Sequence, residues 1–90
     1  MKTDTLLSPV HPGVVLHEDF MLPLGLSTYR VAKDLGVKRV AINAICDGKS
    51  PVRASMALKL GHYFKTSTDI WTGLQKQFEM EVFSRMLSSK

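Results

Sequence analysis

The 90 residues predict an all-α fold of five helices organised around a helix-turn-helix. Three observations carry that expectation. No segment alternates apolar and polar residues long enough for a half-buried strand, and prolines and glycines divide the chain into helical stretches. Two short helical patterns also meet at Leu35-Gly36-Val37, a tight turn that lets one helix cross another steeply. A chain of this length holds one domain around one core. The expected division is an N-terminal arm, residues 1–10, and a single domain, residues 11–90, whose last helix serves dimerisation.

The first helix is expected to begin at His11-Pro12-Gly13, because proline at a first helical position loses no useful N–H, and to run to about Leu22, with Pro23 stopping it. Ser27 can cap the second helix, where Val31, Ala32 and Leu35 share a face before Gly36 ends it. The third begins near Lys38, buries Ile42, Ile45 and to a lesser degree Cys46, and stops at Asp47-Gly48. In the fourth, about Arg53–Phe64, Ala57, Leu58, Gly61 and Phe64 fall on one side, with Gly61 read as a point of close helix approach. Ser67 caps the fifth, with Asp69 in its first turn, where the helix dipole favours an acid.

Several function classes are excluded early. The apolar fraction of 44% is ordinary for a globular chain, and no apolar run approaches the ~20 residues that span a bilayer, so a cytoplasmic protein without a membrane partner is expected. The single cysteine, Cys46, permits no internal disulfide and reads as a small core residue. His11, His17 and His62 lie on separate stretches, with no triad, zinc spacing or phosphate-cradling glycine loop, which argues for no enzyme, no metal and no cofactor. His17-Glu18-Asp19 fans around a helix as a solvated face.

Charge is concentrated rather than large. Of the net +4, Arg30–Lys65 carries eight bases against two acids, +6, whereas the rest carries four against six, −2. A polyanion is therefore drawn to the middle of the chain. With Ile42 and Ile45 turned inward, the third helix presents Lys38, Arg39, Val40, Ala41, Asn43 and Ala44 outward. Arg39 has the donors to pair with guanine and Asn43 to pair with adenine, Val40 and Ala44 suit thymine methyls, and Lys38 reaches base or backbone. Lys49, Arg53 and Thr28 flank this surface as phosphate contacts. The competing reading is an ordinary αα-hairpin with a solvated basic face. The small residues Val40, Ala41 and Ala44 weigh against it, because a merely solvated helix face favours long polar side chains.

On the fifth helix Trp71, Leu74, Phe78, Val82 and Met86 form a stripe expected to face the core. Met80, Phe83 and Leu87 form a second apolar surface, read as a homodimer interface, unless the N-terminal arm covers it.

At this point the residues resemble the HigA/VapI-type antitoxins, within the larger Xre/Cro (lambda-repressor-like) helix-turn-helix group. The resemblance covers about Val10–Phe78 and rests on HPGVVLHEDFMLPLGLS, YRVAKDLGVKRVAINAICDGKSP and ALKLGHYFKTSTDIWTGLQ, of which the opening HPG and the closing F-x-T-S-x-x-x-W-x-x-L-Q are the most specific. It implies a dimeric antitoxin that binds operator DNA, represses its own operon and neutralises a RelE-like ribonuclease toxin of the HigB type. It also places Thr28, Lys38, Arg39, Val40, Asn43 and Ala44 at DNA-contacting positions, and Trp71, Leu74 and Gln75 in the structural signature. Ala44 stands where Glu is frequent, Ala41 where Arg is common, Arg53 where Thr or Ser often caps, and Lys65 where Gly is usual. Lys65 strains the end of the fourth helix if that position is left-handed. Two alternatives stay open: a stand-alone Xre-type regulator without a toxin, and an interaction module that has lost DNA binding.

Overall fold

His11 opens the fold. Its backbone is extended and its Nδ1 accepts the Gly13 N–H at 2.8 Å, so the imidazole caps a helix with Pro12 in the first turn. The computed structural model describes residues 9–88, so residues 1–8 of the expected N-terminal arm lie outside the described residues. Helix α1 spans 12–24 in three parts: a regular turn over Pro12–Val15, a π-helical stretch over Leu16–Met21, and a closing turn over Leu22–Leu24. The expected stop at Pro23 is therefore corrected. A proline ring collides with the carbonyl four residues back in a regular helix. Here the Leu22 N–H reaches back five residues to the His17 carbonyl, and this wider turn admits Pro23 without ending the helix. Gly25, at φ +67°, ends it two residues later.

Helix α2, Thr28–Leu35, starts where Ser27 Oγ accepts the Arg30 N–H at 3.0 Å. It closes at Gly36, whose φ of +73° turns the chain sharply, as the sequence predicts. Helix α3, Arg39–Cys46, follows with Lys38 as its extended N-cap. Helix α4, Ala54–Phe64, runs from Arg53 to Lys65, and helix α5, Thr68–Ser88, begins with Ser67 Oγ accepting the Ile70 N–H at 3.3 Å. Five helices and no strand make up the described residues.

The core is drawn from every helix: Leu16 and Met21, Val31, Ile42, Leu60 and Trp71 are all fully buried. Trp71 satisfies its one polar atom by donating from Nε1 to Thr66 Oγ1 at 2.9 Å. Phe20 lies 5.1 Å from the ring centres of both Phe64 and Trp71, so α1, α4 and α5 meet in one aromatic cluster. Gly61 allows α4 to approach the start of α5, since a Cβ there would sit 3.1 Å from the Thr68 nitrogen.

Two expected core positions are corrected. Leu58 is 61% exposed, and Leu60 takes its place, making the buried row of α4 Ala57, Leu60 and Gly61, with Phe64 half-buried beside it. Met86 also lies on the surface, because the inward stripe of α5 is spent by Val82.

Candidate nucleic-acid interface

An eight-residue helix such as α3 is too short to persist alone in water, so its position is set by what grips its inner face. Ile42 and Ile45 are buried in the core. Behind them α1 approaches so closely that a Cβ on Gly13 would overlap the Ile45 carbonyl oxygen, which makes glycine obligatory there. Cys46 Sγ packs 3.8 Å from Met21 Sδ, and burial pushes its thiol pKa up, so this cysteine is a packing residue, as expected from sequence.

The outward side of α3 carries the residues the sequence singles out. Arg39 is exposed in the first turn, with Asn43 one turn later on the same row, and Val40, 69% exposed, lies in line with Ala44. Ala41, Asn43 and Ala44 are half-buried, so this face is a shallow recess flanked by Arg39 and Val40. Lys38 stands exposed at the N-terminal end.

At the other end the chain folds back onto the helix. The Ala44 carbonyl accepts the Lys49 N–H at 2.8 Å and the Ser50 N–H at 3.2 Å, which ties exposed Lys49 to the end of α3. Exposed Arg53 follows at the start of α4, and its side chain makes no cap on that helix. Thr28 lies half-buried at the N-terminus of α2, where helix amides and the positive dipole end favour an anion.

α2 is locked to α4 by a small polar network. Tyr63 Oη donates to Asp34 Oδ2 at 2.5 Å, and Arg30 Nε donates to the same oxygen at 3.0 Å. The Tyr63 hydroxyl first, and Arg30 second, hold the Asp34 pKa below the ordinary carboxylate value. Arg30 is thus engaged within the fold.

The second expected surface is also present. Met80, Phe83 and Leu87 are exposed along one side of α5 and, among the described residues, line an open pocket with Ser84 and Ser88 of the same helix. Among the described residues, no group of three or more His, Cys, Asp or Glu side chains is placed to hold a metal ion, and no helix is long and apolar enough to cross a membrane.

The specific contacts of three residues escaped the sequence reading, although His11 and Gly13 mark the expected helix start and Gln75 belongs to the structural signature. His11 caps α1, sits edge-on to Phe78 at 4.8 Å, and lines one pocket together with Ser50. Gln75 accepts the Val52 N–H at 2.8 Å. Gly13 admits α1 to the back of α3. The HPG triplet hints at the first and third, since a side-chain acceptor before a proline marks a helix start. The Gln75 contact has no local signal.

No family model matches the chain. Virulence-associated protein I of Dichelobacter nodosus is 33% identical over 73 residues, covering 81% of this chain and 68% of the relative. Among solved structures, Pseudomonas aeruginosa PA4674 in complex with its operator DNA is 33% identical with a TM-score of 0.79, over 80% of this chain and 77% of that one. The antitoxin HigA of Pseudomonas aeruginosa, determined with the higBA promoter, is 28% identical with a TM-score of 0.84, over 91% and 94%.

Proposed function

Because the chain belongs to the HigA/VapI-type antitoxin family of Xre-like helix-turn-helix proteins, we propose that it binds operator DNA as a homodimer, represses its own operon and neutralises a RelE-like ribonuclease toxin of the HigB type. It is a DNA-binding antitoxin or regulator and not an enzyme, as its relatives are. The observation that carries the reading is the outer face of α3, a shallow recess of Ala41, Asn43 and Ala44 flanked by Arg39 and Val40, with Arg39 and Asn43 at one-turn spacing. A base edge needs both features: room to approach and donors at its depth.

In this reading α3 lies in the major groove. Arg39 donates twice to a guanine edge, Asn43 pairs with adenine, and Val40 and Ala44 receive thymine methyls. Lys38, Lys49, Arg53 and Thr28 contact phosphates and fix the register. Met80, Phe83 and Leu87 of two copies pack about a two-fold axis, which sets two α3 helices about 34 Å apart on a palindrome.

Fluorescence anisotropy with the chain's own promoter tests the first activity. Binding to the palindrome, weakening steeply between low and moderate salt, is expected. Arg39→Ala is expected to cost about 1–3 kcal/mol on the operator while leaving scrambled DNA nearly unaffected. Equal binding to both sequences by the unaltered protein would sink the repressor reading. Co-expression with a small basic toxin encoded beside it tests the second activity, and failure to restore growth leaves the stand-alone regulator.

A further inference from the structure

We propose that Gln75 is a positioning residue for the DNA grip, holding the loop that carries Lys49 and leads to Arg53 through the backbone amide of Val52. The inference rests on the DNA-binding reading above, and Gln75 itself touches no DNA in it.

The loop over residues 48–52 links α3 to α4 with no regular structure of its own, yet in the proposed complex it carries one phosphate-binding side chain, Lys49, and leads directly into a second, Arg53. Such side chains add affinity only if their backbone is already in place. One end is secured by the Ala44 carbonyl, which takes the Lys49 and Ser50 N–H groups. The other end has no helical partner for the Val52 N–H, although the Val52 side chain is buried. Gln75 Oε1 supplies that partner from α5 at 2.8 Å.

The amide is held in the required orientation. Gln75 Nε2 donates to Glu79 Oε2 at 2.8 Å, one turn along α5, so the oxygen must face Val52. His11 lies beside the same loop from the side of α1, lining one pocket with Gly48, Lys49 and Ser50, and its ring rests on Phe78 of α5. The loop is thereby referenced to the helix whose far half carries Met80, Phe83 and Leu87.

The experiment compares the full-length protein with Gln75→Leu, which removes both hydrogen bonds at similar volume, and with Glu79→Ala, which frees the amide while leaving the Val52 bond possible. Operator and scrambled-DNA affinities are measured across a salt series, together with hydrogen exchange at the Val52 amide. Gln75→Leu is expected to release the Val52 amide to exchange and to lower the slope of log K against log salt by about two to four per dimer, since each lost phosphate contact removes about 0.9. The ratio of operator to scrambled affinity should stay constant, the reverse of Arg39→Ala. Glu79→Ala should give a smaller change in the same direction. It also keeps the test decisive if Gln75→Leu fails to fold, because an unchanged slope in Glu79→Ala with Val52 exposed to exchange would then overturn the proposal. A Gln75→Leu protein that loses thermal stability but keeps the full slope overturns it too. If the unaltered protein shows no salt-dependent operator binding, the functional reading falls first and this proposal with it.

Discussion

Lys65 ends α4 at φ +62° and ψ +37°, the one non-glycine residue with positive φ among the described residues. The left-handed conformation costs an L-residue about 1–2 kcal/mol through the approach of Cβ to its own backbone. Glycine avoids that cost but gives back about 0.5–1 kcal/mol in the greater freedom of its unfolded chain. The capping bond of Thr66 N–H to the Gly61 carbonyl, 2.9 Å, involves only backbone and is retained by either residue. Lys65 lines a surface pocket with Leu24, Leu26, Tyr63 and Phe64, but the residue is exposed, so any packing that glycine forfeits there is small. Lys65→Gly is therefore expected to stabilise the fold by about 0.5–1 kcal/mol, which raises Tm by about 3–6 °C in a domain of this size. Thermal melts followed by circular dichroism read this directly, and Lys65→Asn should fall between the two because asparagine tolerates the left-handed region. A Lys65→Gly protein melting at or below the parent temperature would refute the reasoning. It would mean that the lysine side chain contributes more than its backbone strain removes.

Gly13→Ala should be the reverse case, destabilising by about 3 kcal/mol in urea titrations, because the added methyl meets the backbone of α3 and no rotamer relieves it. His11 gives a pH dependence. Burial lowers its folded-state pKa below 6.5, against a smaller opposing effect of the Ser50 backbone, and protonation would place an N–H where Nδ1 accepts from Gly13. Stability from neutral His11 is fully present above pH 6.5 and is lost as the pH falls below it toward the folded-state pKa. His11→Ala should cost about 1 kcal/mol at neutral pH and flatten the decline on the acid side, as urea midpoints at several pH values would show. Phe83→Glu combined with Leu87→Glu should yield a folded monomer by light scattering, since both side chains are exposed in the single chain. A dimer that survives both changes would place the interface elsewhere.

The elements legible in the sequence were those whose signals are local. Ser27 before α2, Gly36 at the turn and Ser67 before α5 each act on backbone groups within a few residues, and each stands where it was expected. Pro23 misled because its rule assumes a regular helix, whereas the chain widens into a π turn just before it. Leu58 and Leu60 were a choice between two helical rows sharing Ala57, Gly61 and Phe64, and only packing against neighbouring helices decides between such rows. The same limit governs the polar contacts. Asp34 meets Tyr63 across 29 residues and Val52 meets Gln75 across 23, separations at which no periodicity connects the partners. On α3 the inward residues follow from helical spacing, but the recess formed by Ala41, Asn43 and Ala44 depends on how deeply α1 and α2 seat the helix.

That recess also bears on what a second copy would add in the proposed complex. Only Arg39 and Asn43 among the outward residues of α3 can make paired hydrogen bonds to base edges, since Ala41 and Ala44 offer none. At about 1–3 kcal/mol of discrimination for each such pair, one subunit separates its site from other DNA by about 2–6 kcal/mol. Sequence-specific DNA-binding proteins typically work with about 4–10 kcal/mol. Lys38, Lys49 and Arg53 raise affinity for every sequence alike, so they cannot close that gap. Two subunits fixed at one helical turn double the base-reading term and require both half-sites in register. In the proposed dimer the apolar face of α5 therefore contributes to sequence selectivity without meeting a base.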